Sequence, residues 1–211
     1  MALVTQSLEV NMSQETIFKV TPSGLDYALK CGRCLWLSYK GIKHDTFFPP
    51  IFNSFDLIQK KFLISQSIKL MSKTLPDGRI MTELNGFRGS SVLEDKKGRS
   101  FVINGKTDVV IEFKTDPKKY GIIDLKTTNI SPSKIHNYKL QLESYATIFQ
   151  NPNSKTPKFS NIDELGLYLF EPKEITKISD GNCNMKFETL YLKGNRCHDE
   201  LIKRVTDVID I

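Results

Sequence analysis

The chain has 211 residues, 39% hydrophobic and 26% charged, a balance that suits one generous soluble domain with its own core. Lys and Arg number 30 against 24 Asp and Glu, and the resulting charge of +6 favours a polyanionic partner such as nucleic acid without fixing one. No apolar run approaches the roughly 20 residues needed to cross a bilayer. Residues 1–7 lack a basic n-region, so a cytoplasmic protein with no membrane contact is expected. In that compartment the four cysteines are expected as thiols or metal ligands rather than disulfides.

In chain order, residues 1–20 are polar and without period, and read as a loosely ordered arm before a single domain over 21–211. That domain divides into a helical part over 21–75, a sheet and helix over 86–170, and a strand and helix over 171–211. Thr21-Pro22-Ser23-Gly24 looks like a helix start, with Leu25, Leu29 and Trp36 on the apolar side as far as about Tyr39. After the break at Phe47-Phe48-Pro49-Pro50, Phe55, Ile58, Phe62 and Leu63 return at helical spacing. Phe87 to Leu93 reads as a strand, Asp95-Lys96-Lys97-Gly98 as its turn, and Phe101 to Phe113 as one long β run. Asp116 to Lys119 turns the chain into a strand over Tyr120 to Thr127. An amphipathic helix over 135–149, a surface loop from Asn151 to Ser160, strands at Leu165–Phe170 and Phe187–Leu192, and a closing helix at His198–Ile209 complete the reading. The order predicts an α/β fold with a central mixed β-sheet flanked by helices.

The chemistry concentrates in the middle of that pattern. Alternation along a strand puts Asp124 and Lys126 on one face and Ile123 and Leu125 on the other. Asp108 sits inside the preceding strand, flanked by Val109, Val110 and Ile111, and an ionised carboxylate in such apolar company is costly unless a cation or donor compensates it. If the two strands pair as a hairpin, two carboxylates share a face and can share a hydrated magnesium or manganese ion. Such an ion polarises a phosphoryl oxygen and acidifies an attacking water. A neighbouring lysine can hold that water or balance developing charge.

Gly105-Lys106-Thr107-Asp108, Gly121-Ile122-Ile123-Asp124-Leu125-Lys126-Thr127-Thr128 and Tyr138-Lys139-Leu140-Gln141-Leu142-Glu143-Ser144-Tyr145-Ala146 together resemble the PD-(D/E)XK nuclease superfamily. Within it they resemble the RecB-like branch, which includes CRISPR-associated exonucleases. Leu29 to Leu37 resembles that branch's opening helix, and the likeness spans roughly residues 20–170. The resemblance implies a restriction-endonuclease-like core and a metal-dependent DNA nuclease acting on single strands or duplex ends. Asp108, Asp124 and the carbonyl of Leu125 are then metal ligands, and Lys126 orients the water. Gln141 supports the site from the helix, with Tyr145 one turn later. RecB-like members often carry a further histidine or glutamate ligand on the upstream helix, and the spacing to Phe62 puts Asp56 there.

Tyr145, Lys134 and Lys139, on or beside that helix face, are candidate nucleic-acid contacts, the two lysines equally readable as ordinary solvated ones. No helicase motif is present, so unwinding would fall to a separate helicase or recombination protein. Some RecB-like nucleases hold an iron–sulfur cluster with one early and three late cysteines. Here Cys31, Cys34, Cys183 and Cys197 lack the late triplet, and thiols are expected in place of a cluster. Zinc on Cys31, Cys34, Cys197 and His198 is the other cysteine-based alternative. A nucleic-acid-binding subunit that keeps the fold without turnover stays open as well.

Overall fold

A computed structural model describes residues 17–25, 31–42, 49–84 and 86–211. The elements run β1 (Phe18–Val20), α1 (Gly32–Tyr39), α2 (Ile51–Ile64), β2 (Gly78–Ile80), β3 (Phe87–Gly89), β4 (Leu93–Glu94), β5 (Ser100–Lys106), β6 (Val109–Phe113), β7 (Tyr120–Thr127), α3 (Lys134–Gln150), β8 (Ile162–Ser179), β9 (Asn182–Gly194) and α4 (His198–Ile209). The fold is mixed α/β, as expected. One sheet is built on β5, with β1 parallel to it and β3 and β4 antiparallel. The other runs β2-β6-β7-β8-β9, antiparallel throughout except where β7 and β8 pair in parallel.

Several expectations change. The run from Phe101 to Phe113 is two strands in two different sheets, and the chain turns from one to the other at Thr107–Asp108. Asp108 therefore sits at a corner, outside any strand. The physical reason is burial on both sides of the corner: Phe101 and Ile103 belong to one core, Val109, Ile111 and Phe113 to another. The expected strand over Phe87 to Leu93 is likewise broken into β3 and β4. The last residues of the expected arm form β1, fixed by parallel pairing of Phe18 with Phe101. Residues 26–30, with Leu29, lie outside the described residues. The described ends of that expected helix are both helical, at 22–25 and in α1, which opens on Cys31 with the Cys34 N–H donating to its Sγ at 3.2 Å. Trp36 is exposed beneath Lys40, while Leu35 is buried in its place.

The two cores lie on opposite faces of the five-stranded sheet. Along β7, Ile122 joins the core with Leu142, Tyr145 and Ala146 of α3, whereas Ile123 and Leu125 join the one with Leu63 of α2. Each fully buried side chain of this size contributes about 2 kcal/mol. On α2 Ile58 and Phe62 are exposed, contrary to the reading that made them the apolar face, and Leu63 is the buried one. Helix α3 is buried on every side from Leu140 to Phe149, so each polar residue within it needs a local partner. The expected surface loop is pinned by Phe159, which stacks between Tyr120 and Phe149 at 4.0 and 5.0 Å. No helix among the described residues is long and apolar enough to cross a membrane.

Candidate active site

β6 begins at Val109, which pairs with Ile123 of β7. The next residues of β7, Asp124 to Lys126, run on past the end of β6, and the corner residue Asp108 fills that place. The Leu125 N–H donates to Asp108 Oδ2 at 2.9 Å. In a strand the N–H and C=O of one residue turn to the same flank, so the Leu125 carbonyl lies on the Asp108 side. Alternation holds for the other pair: Lys126 Nζ lies 2.8 Å from Asp124 Oδ2. Among the expected site residues, Asp108, Asp124, Lys126 and Gln141 are brought together.

Asp124 is 1% exposed, and it is incompletely satisfied. The Gln141 side-chain amide donates to Oδ1 at 3.0 Å and also to the Tyr145 hydroxyl at 2.9 Å. Oδ2 has the Lys126 charge beside it but no hydrogen bond of proper angle among the described residues. Burial pushes the Asp124 carboxyl up to about 7, Lys126 pulls against that, and the Asp108 charge adds to it. For Lys126, burial works against the ammonium, but Asp124 outweighs it and holds the group above the ordinary lysine range. The Lys126 ammonium also lies over the Tyr138 ring, 4.9 Å from its centre.

The sequence reading missed Lys60. Its Nζ lies 2.8 Å from Asp108 Oδ1 and 2.7 Å from Asp56 Oδ1, joining α2 to the corner. The i, i+4 spacing to Asp56 was the one visible signal; nothing local points to Asp108, 48 residues on. The adjacent Gln59 donates to Thr127 Oγ1 at 2.8 Å, fastening the same helix to the end of β7. Asp56 thus reaches the cluster only through Lys60, with its side chain 42% exposed. Lys134 donates to Thr128 Oγ1 at 2.9 Å, close to the end of β7. Lys139 points away and pairs with Glu200 of α4.

A second polar cluster hangs from the opposite side of α3. Glu143 is fully buried and takes two hydrogen bonds from Arg196, at 2.8 and 2.7 Å, and one from the Cys197 N–H at 2.9 Å. No sequence signal marked this pair.

The expectation that the cysteines are thiols is corrected at Cys31 and Cys34, which are joined as a disulfide. Cys183 is exposed on the β8–β9 hairpin and Cys197 is half-buried before α4, so a four-thiol set is not assembled. Among the described residues no group of three or more His, Cys, Asp or Glu is gathered to hold a metal ion. The donors at the corner are Asp108, Asp124, whose buried Oδ2 has the Lys126 ammonium beside it but no well-angled hydrogen bond, and the Leu125 carbonyl. That hard-oxygen set fits an ion that keeps several waters, as magnesium and manganese do.

At one wall of this corner, Gly105 allows a close approach. A Cβ there would lie 3.0 Å from the Tyr145 ring and 2.8 Å from Pro22.

No protein-family model matches the chain, and no curated protein does. Among solved structures, one described as the crystal structure of SSO0001 is similar, with 16% sequence identity and a TM-score of 0.53. The match covers 96% of this chain and 79% of that one, so the likeness is one of fold running through nearly the whole molecule.

Proposed function

We propose that this chain is a divalent-metal-dependent deoxyribonuclease of the RecB-like PD-(D/E)XK kind, hydrolysing phosphodiester bonds at DNA ends or in single strands. The observation that carries the reading is the corner itself. A fully buried Asp124 keeps one oxygen without a hydrogen bond, beside Asp108 and under the Lys126 ammonium. An under-coordinated buried carboxylate is costly, and such sites are where bound ligands complete the coordination. Magnesium or manganese bound there would supply Lewis-acid stabilisation of the phosphoryl charge and an acidified water.

The remaining work falls to side chains. Asp108 and Asp124 supply hard anionic oxygens. Lys126, held as an ammonium, serves as a donor and positive charge for the water and the developing phosphorane rather than as a base. Gln141 and Tyr145 keep Asp124 in one rotamer. The net charge of +6 favours association with a polyanion.

A second reading, a nucleic-acid-binding subunit without turnover, is favoured by one observation. Lys60 already neutralises Asp108, so the corner is partly charge-compensated without an ion. The two readings separate in a single assay. Single- and double-stranded DNA, labelled at either terminus, is incubated with manganese and with the parent or Lys126→Ala. Parent-specific cleavage supports the nuclease. Binding by both proteins with no parent-specific product supports the binding subunit and sinks the first reading.

A further inference from the structure

We infer that Lys60 is a tethered cation that competes with the divalent ion for Asp108, so that binding of the ion proceeds by exchange against a lysine carried on α2. The inference rests on the reading of Asp108 and Asp124 as metal-binding groups and goes one step beyond it.

The geometry is specific. Both Asp108 oxygens are engaged, Oδ1 by the Lys60 ammonium at 2.8 Å and Oδ2 by the Leu125 N–H at 2.9 Å. The backbone donor is part of the strand end and stays where it is. An ion that approaches Asp108 Oδ1 meets the Lys60 ammonium already there and must compete with it for the same carboxylate charge. The ammonium has a ready destination. Asp56, one helical turn earlier, already holds the same ammonium at 2.7 and 2.9 Å and opens toward solvent. Moving from a bridging position to Asp56 alone needs rotamer changes along a flexible four-carbon stem. The backbone of α2 need not move, because Gln59 fastens the helix to Thr127 independently.

Charge balance points the same way. Asp56, Asp108 and Asp124 face the ammoniums of Lys60 and Lys126. A doubly charged ion placed between Asp108 and Asp124 would repel an ammonium still seated on Asp108. Lys60 leaves that carboxylate as the ion arrives, retaining one partner and avoiding an unpaired charge. The side chains of Lys60 and Asp108 are 16% and 17% exposed, which makes their pairing stronger than a surface ion pair and the competition measurable.

The test is a manganese titration of the full chain by calorimetry, with thermal unfolding measured before and after metal. Lys60→Met is expected to bind manganese about tenfold more tightly than the parent, one competing ion pair having been removed. Its metal-free melting temperature should fall, and added manganese should raise it by more than in the parent. Lys61→Met, at the exposed neighbouring position, should titrate as the parent does. Lys60→Arg keeps the charge and should stay near parental affinity. Lys60→Gln serves if the Met variant does not fold. Manganese affinity in the parent that equals or exceeds that of both Lys60→Met and Lys60→Gln overturns the exchange and leaves the nuclease reading intact. Failure of the parent and of both neutral variants to bind manganese overturns the metal site and the exchange together.

Discussion

Asp124 and Glu143 are both carboxylates buried against α3, with residue exposures of 1% and 0%, and the chain surrounds them in opposite ways. Glu143 receives a paired guanidinium and a backbone N–H, so both its oxygens are bound. Asp124 receives one amide hydrogen bond, an off-angle ammonium and a second carboxylate close by. A buried charge that only has to hold two elements together can be given a full donor set. One that has to exchange partners cannot, and the strain appears as a raised affinity for protons. The difference separates a clamp, Glu143 on α3, from the group on β7 that the proposed function puts to work.

Four measurements test whether the two carboxylates differ in role. The largest effect is expected for Lys126→Ala, which should lower DNA cleavage by about 10²–10⁴-fold, measured where urea unfolding shows the variant still folded, since Asp124 is left buried without its ammonium. A comparable loss on truncating Arg196 would mean that the two clusters do not differ in role. Arg196→Ala should instead destabilise the chain by about 3 kcal/mol in urea unfolding, because Glu143 is left buried and unpaired.

The third effect is one of pH. With the Asp124 carboxyl raised to about 7 from an ordinary 3.8, the folded chain holds a proton that the unfolded chain has lost. Stability from this group is complete below about pH 4 and disappears as the pH rises through about 7. Metal must displace that proton, so manganese affinity should rise about tenfold between pH 6 and pH 8, read by calorimetry at both values. A flat profile would count against Asp124 as a ligand. The smallest effect belongs to Tyr145→Phe, which removes one hydrogen bond to Gln141. It should cost about 1 kcal/mol in thermal unfolding.

Much of the site was legible in the sequence, and the misses have physical reasons. Asp124 and Lys126 follow from strand alternation, and β7 and α3 from their hydrophobic periods. Propensity could not reveal the corner at Asp108. Val, Ile and Phe favour strands on both sides of it, and only tertiary burial decides that Phe101 and Ile111 belong to different cores. The links of Lys60 to Asp108 and of Arg196 to Glu143 were hidden for a related reason. Each meets its acid across 48 or 53 residues, a separation that no local spacing reports. The expectation of free thiols came from compartment alone, which says nothing about which sulfurs are adjacent, and Cys31 and Cys34 are. The exposed apolar face of α2 escaped because helical spacing reports which residues share a face, not whether anything covers it.

Gly105 carries a consequence for the whole corner. It has no side chain, and the aromatic rim of Tyr145 and the ring of Pro22 press into the space a methyl group would take. Tyr145 in turn accepts from Gln141, and Gln141 from that position sets the angle of Asp124. Even an alanine on this strand would be felt as a push, relayed through phenol and amide to an acid it never touches. The glycine works here as clearance, and the tolerance of the acid's placement is set by the width of a single carbon atom.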